Sequence, residues 1–120
     1  MNKDELKKRT KDFAHRCVRL ALSLPDSILG KHLRSQLIRA SSSVAANYRA
    51  ACVAQSKASF TSKLSIVIEE VDESLFWLEF IVDENLIKRE LISSLTKEAG
   101  ELTAIFISSR KTIQNGSNHK

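Results

Sequence analysis

Acidic side chains crowd one stretch of the sequence, with Glu69, Glu70, Asp72, Glu73 and Glu79 inside eleven residues. Neighbouring carboxylates can hold a divalent cation, or split their pKa values so that one serves as acid and the other as base. Their spacing favours a plainer use. Glu70, Glu73 and Trp77 follow one another at intervals of three and four, so they share a helical face on which the carboxylates can pair with Arg or Lys from a basic helix of the same or another subunit. For a di-metal bundle, two helices must each supply a Glu and the other two a Glu-x-x-His pair. Asp12 and His15 come nearest and lack a second such pair; His32 and His119 stand elsewhere.

Cys17 and Cys52 lie far apart with no Cys-x-x-Cys or Cys/His spacing, so they read as small buried hydrophobes. No serine sits in a nucleophile elbow, and no P-loop or dinucleotide fingerprint is present. The expectation is a protein without catalytic residues, metal or cofactor.

The second basic stretch offers binding rather than chemistry. Arg34, Gln36, Arg39, Asn47 and Arg49 stand among small residues, Ala40 to Ser43, Ala45, Ala46, Ala50 and Ala51. Gln36, Ala40, Ser43 and Asn47 keep a four-three-four spacing. A polar stripe at that spacing must be hydrogen-bonded if buried, so it either organises a subunit interface or lines a groove.

Four amphipathic segments must position these residues. Leu6, Thr10, Phe13, Cys17, Leu20 and Leu24 alternate between steps of four and three, the signature of a helix packed by one face. Pro25 stops it, Asp26 or Ser27 can cap its successor, and Gly30 marks the transition. Leu33, Leu37, Ala40, Val44, Asn47 and Ala51 continue the pattern. After Ser56, a candidate N-cap, come Phe60, Leu64, Val67, Val71, Ser74, Leu78 and Ile81, with Ile68, Leu75, Phe76, Trp77, Phe80 and Val82 widening the stripe. Such breadth implies either oligomerisation or a broad core-facing arc. Leu91, Leu95, Leu102, Ile105, Phe106 and Ile113 mark the last helix, which tolerates Gly100.

The predicted fold is all-α, an antiparallel up-down-up-down four-helix bundle in one domain over 1–114. Its helices span about 3–24, 28–54, 57–83 and 87–113, and a polar, frayed tail follows over 115–120. Helices of about 22 residues would each be about 33 Å long, matched as such a bundle requires. A hairpin swapped between chains would give the same pattern.

The 120 residues carry a net charge of +5, unevenly placed. Residues 1–24 hold +4, 25–56 hold +3, 57–84 hold −5 and 85–120 hold +3. Faces of opposite sign can complement one another or a polyanion. No apolar run approaches the roughly 18 residues of a membrane span. The charged N-terminus lacks the apolar block of a signal peptide, so a cytoplasmic protein with no membrane partner is expected.

The run from Leu33 to Ala51 resembles the bacterial four-helix-bundle proteins encoded by intervening sequences within 23S ribosomal RNA genes. The family's preceding Pro and its Q-L-x-R-A-x-x-S-[IV]-x-x-N pattern are matched by Pro25, Gln36, Leu37, Arg39, Ala40, Ser43, Val44 and Asn47. Ser56-Lys57-Ala58 and the acidic-then-aromatic stretch from Glu69 to Glu79 resemble it too. Many members continue after the Asn with A-E-G, whereas Arg49-Ala50-Ala51 follows Tyr48 here, so no role of that Glu carries over.

The family in turn resembles accessory proteins of diversity-generating retroelements, five-fold barrels that engage nucleic acid and a reverse transcriptase through basic surfaces. That resemblance implies a homopentamer, and it alone supplies the number five. The expectation is therefore a non-enzymatic homo-oligomer binding nucleic acid, RNA foremost, through Arg16, Arg19, Arg34, Arg39, Arg49 and Lys57. Gln36, Ser43, Asn47, Glu70, Glu73 and Trp77 would serve structure or assembly. The alternative is an oligomeric scaffold whose basic face docks an acidic protein.

Overall fold

The computed structural model describes residues 1–118, which form four helices: α1 (Lys3–Leu22), α2 (Ile28–Cys52), α3 (Lys57–Asp83) and α4 (Arg89–Asn118). Each connection is too short to do anything but turn the chain back, so neighbours are antiparallel, and the molecule measures 54 × 22 × 20 Å. α2 packs against both α1 and α3, α3 against α4, and α1 touches α4 only lightly; among the described residues α1 and α3 do not pack together. This is the expected all-α, up-down-up-down bundle. No described helix is long and apolar enough to cross a membrane.

Side-chain caps start three of the helices. Asn2 accepts from the Glu5 N–H (2.8 Å), Ser27 from the Gly30 N–H (3.0 Å) and Ser56 from the Ser59 N–H (3.0 Å), each satisfying a donor that the first turn leaves free. Ser27 is thus the cap at α2, which leaves Asp26 for another partner. Gly30 is buried where the Pro25 carbonyl passes so closely that a Cβ would collide with it. Asn85 turns the chain between α3 and α4 in the left-handed region (φ 58°), which asparagine tolerates better than most residues.

The core follows the stripes with informative exceptions. Leu6, Thr10, Phe13, Cys17 and Leu24 are buried along the first segment, and Leu64, Val67, Val71, Ser74, Leu78 and Ile81 along α3. On α2 Leu33, Leu37 and Val44 are buried as expected and Tyr48 is the bulkiest core residue, while Asn47 beside it is half-buried. On α4 the line runs Ile92, Leu95, Ala99, Leu102 and Phe106; Leu91, expected on that seam, is exposed. Helix α4 begins at Arg89 and continues to Asn118, beyond the expected end at 113 and through most of the stretch read as a tail. His119 lies outside the described residues.

Candidate nucleic-acid interface

Most of the extra breadth of α3 is spent inside the molecule. Ile68, Leu75, Trp77, Phe80 and Val82 pack half-buried against the core, and Phe76 stays 52% exposed. The acidic face beside this arc meets α2 within the same chain. Arg39 Nη1 lies 3.3 Å from Glu70 Oε2, its Nη2 contacts Glu73 Oε2, and its Nε donates to Gln36 Oε1 at 3.4 Å. Glu73 also accepts from Trp77 Nε1 (3.2 Å), and His32 stands edge-on to that indole with centroids 5.6 Å apart. Gln36, Arg39, Glu70, Glu73 and Trp77 are thus one network stitching α2 to α3. Asn47 and Ser43 stand apart from it: Asn47 Nδ2 donates to the Ser43 carbonyl of its own helix (2.9 Å).

The six basic residues singled out from the sequence do not form one surface. Arg39 is held as described. Arg34 donates from Nη2 to the Leu24 carbonyl (2.6 Å) and to Asp26 Oδ1 (2.9 Å), closing the turn after α1. Arg16 Nη2 donates to Ser94 Oγ on α4 (2.9 Å), and with exposed Arg19 it lines a hollow of about 380 Å³ between α1 and α4. Lys57 sits at the opposite end of the bundle beside Lys3, whose ammonium lies 5.0 Å from the Phe60 ring centroid.

Arg49 has different company. It lines an open groove of about 640 Å³ between α1 and α2 together with Lys7, Lys8, Lys11, Ser42, Ala45 and Ala46. Four cations rim it, and no acidic residue lines it. Lys7 pairs with exposed Asp4 at 3.3 Å; among the described residues Lys8, Lys11 and Arg49 have no ion-pair partner. The floor is low because residues 42, 45, 46 and 49 recur at helical spacing and the first three are Ser or Ala. Ser42 Oγ bonds back to the Ile38 carbonyl (2.7 Å), so the floor presents little but methyl groups. From residue 42 to 49 the groove runs about 10 Å along the helix. A phosphate-bearing strand lying in it would come close to the α2 backbone with cations on both banks.

A hollow of about 700 Å³ at the α3–α4 turn mixes Asp83 and Glu90 with Lys88 and Arg89, so its charges largely cancel. Sequence points to Lys and Arg of the first two helices as a class but does not single out these three lysines beside Arg49, from which more than thirty residues separate them. Their signal was present: Lys7 and Lys11 flank the Leu6–Thr10 seam of α1, as Arg49 flanks Tyr48 on α2.

A second ionic clamp also escaped the sequence reading. Arg9 donates from Nε and Nη2 to the two oxygens of Glu98 (2.7 Å each) and from Nη2 to Glu101 (2.8 Å), tying together α1 and α4, the most lightly packed pair of neighbouring helices. Those hydrogen bonds, Glu98's foremost, hold the guanidinium proton more tightly than usual. Across the interior, burial pushes the Cys17 thiol up to about 12 and raises the Tyr48 phenol, whose second influence is a hydrogen bond with Cys52.

The model of the 23S rRNA-intervening sequence protein family matches residues 2–108. Among solved structures, a protein of unknown function from the S23 ribosomal protein family of Bacteroides thetaiotaomicron is similar, with a TM-score of 0.83 and 31% identity. The match covers 92% of this chain and 99% of that one. No curated protein matches the chain.

Proposed function

The chain belongs to the 23S rRNA-intervening sequence protein family, and on that premise we propose that it is a non-enzymatic, cytoplasmic homo-oligomer that binds nucleic acid, RNA foremost, through the α1–α2 groove. The observation that carries this reading is the set of four cations, Lys7, Lys8, Lys11 and Arg49, around a floor of Ser and Ala with no carboxylate among them. RNA is the polyanion named in the family's description. The pentamer implied by the resemblance belongs to the same proposal.

Lysine and arginine neutralise phosphates without reading bases, so affinity would be salt-dependent and nearly indifferent to sequence. No aromatic ring lines the groove, which removes the stacking that single-strand platforms rely on. Arg34 and Arg39, already bonded within the chain, drop out of the contact set.

Fluorescence anisotropy with labelled RNA across a salt series tests the reading. Four phosphate contacts predict a slope of log K against log salt of about −3. The double variant Lys8→Glu/Arg49→Glu should bind at least about tenfold more weakly at unchanged helicity, since both reversed side chains are exposed. A wild-type protein that ignores duplex and single-stranded RNA at low salt sinks the proposal. Retention of an acidic protein after nuclease treatment would then favour the adaptor.

A further inference from the structure

Two helices carry charged outer stripes of opposite sign and cannot reach each other within one chain. On α3, Glu69, Asp72, Phe76, Glu79 and Asp83 recur at steps of three and four, and all are exposed. Phe76 sits at the middle of that row, 52% exposed and stacked only from its inner side by Trp77 (centroids 4.9 Å) and Phe80 (5.8 Å). The four carboxylates have no ion-pair partner among the described residues. On α1 the outward row is Lys8, Lys11, His15, Arg19 and Leu22, again at steps of three and four, ending in a leucine 63% exposed.

The two helices occupy diagonal corners of the bundle and do not pack together. They also run the same way, so Leu22 and Phe76 both lie toward the end where the α1–α2 and α3–α4 turns are.

We propose that the ends of these stripes nearest the turns, His15 to Leu22 on α1 and Asp72 to Asp83 on α3, are the two halves of one contact, α1 of one copy packing alongside α3 of the next. This rests on the oligomeric part of the function proposed above and assigns its interface. Arg19 would face Glu79 and His15 would face Asp72, on either side of Phe76, with Leu22 covering the apolar side at the end of the row, the arrangement by which flanking charges choose partners in coiled coils. A second copy is the occupant because this chain itself supplies the complementary row: opposite charge at matching spacing, on a helix of the same direction. Two copies meeting α3 to α3 would oppose carboxylates, so the contact is head-to-tail, and its repetition builds a closed ring or a filament rather than an isolated dimer. Lys7, Lys8, Lys11 and Arg49 face the groove toward the opposite end of α1, which leaves RNA room on the assembled protein.

Charge reversal with compensation tests the pairing by light scattering on a sizing column, with circular dichroism as the folding control. Asp72→Lys/Glu79→Lys and His15→Glu/Arg19→Glu should each reduce the particle to the 13.5 kDa of one chain. All four substitutions in one chain should return it to wild-type mass. Folded single-face variants that keep the wild-type mass overturn the interface while the oligomer stands. Dissociation of both without recovery in the combined variant overturns the pairing of these two faces. A wild-type protein that is already monomeric overturns the oligomer and its interface together, leaving the RNA assay to judge the groove.

Discussion

The first half of α2 holds Arg34 and Arg39 and the second half holds Arg49, and the three guanidinium groups live in different circumstances. Arg34 is bonded to a carbonyl and to Asp26 in the turn before its helix, and Arg39 lies between two carboxylates of α3. Arg49 faces three lysines across a trough of small side chains. Identical chemistry is thus consumed by the fold at one end of a helix and left available at the other. Net charge is therefore a poor measure of binding capacity; what counts is charge without an internal partner.

Substitutions in the first half of α2 should act on stability. Gly30→Ala has the largest expected effect, because its methyl group meets the Pro25 backbone; a loss of about 1–3 kcal/mol in urea denaturation is expected for such overpacking. RNA affinity of the folded fraction should not change.

Arg34→Ala removes a charge-assisted bond from the Leu24 carbonyl and should cost about 1–2 kcal/mol while leaving RNA affinity intact. Arg49→Ala should do the reverse, shifting stability by no more than about 0.5 kcal/mol while weakening RNA binding. Equal losses of RNA affinity in the two variants would erase the distinction between the halves.

The smallest expected effect is alkaline. The Cys17 thiol faces the middle of α2 beside Ser41 and stays neutral in the folded state up to about 12. Once unfolded it ionises near its ordinary value of about 8.5. Below that value the thiol is neutral in both states and adds no pH dependence; above it the unfolded chain sheds a proton the native one retains, and stability falls until the folded value is reached. Urea midpoints should show a loss of about half a kcal/mol between roughly pH 8 and 9, absent in Cys17→Ala. Cys17 is fully buried and does not line the groove, so RNA binding by the folded protein should not follow.

Helix number and the seams of α1 and α3 are legible because most residues on those stripes are large and apolar, and Thr10, Cys17 and Ser74 keep the same steps of three and four. The α4 seam was misplaced at Leu91 because a lone leucine next to Ile92 gives no hint which of the two faces inward, and Ala99 does not announce itself. Tyr48 was overlooked for a related reason: its neighbour Asn47 fits the spacing equally well, and only the Phe106 ring on α4, 5.2 Å away between centroids, decides which side chain the core accepts. The pairing of Glu70 and Glu73 with a basic helix was foreseen; that the helix would be α2 of the same chain, through Arg39, was not. Sequence records a charge but not its partner, which is why it cannot separate Arg34 and Arg39, bonded within the fold, from Lys8 and Lys11 of α1, unpaired among the described residues.

Trp77 is the sole tryptophan of the chain, held between Glu73, His32 and two phenylalanines on the flank of the proposed contact. The molecule therefore contains its own optical reporter. Covering Phe76 would dry the surroundings of the indole and move its emission toward the blue, so dilution alone, without dye or tag, would let the protein announce in colour whether its copies are together or apart.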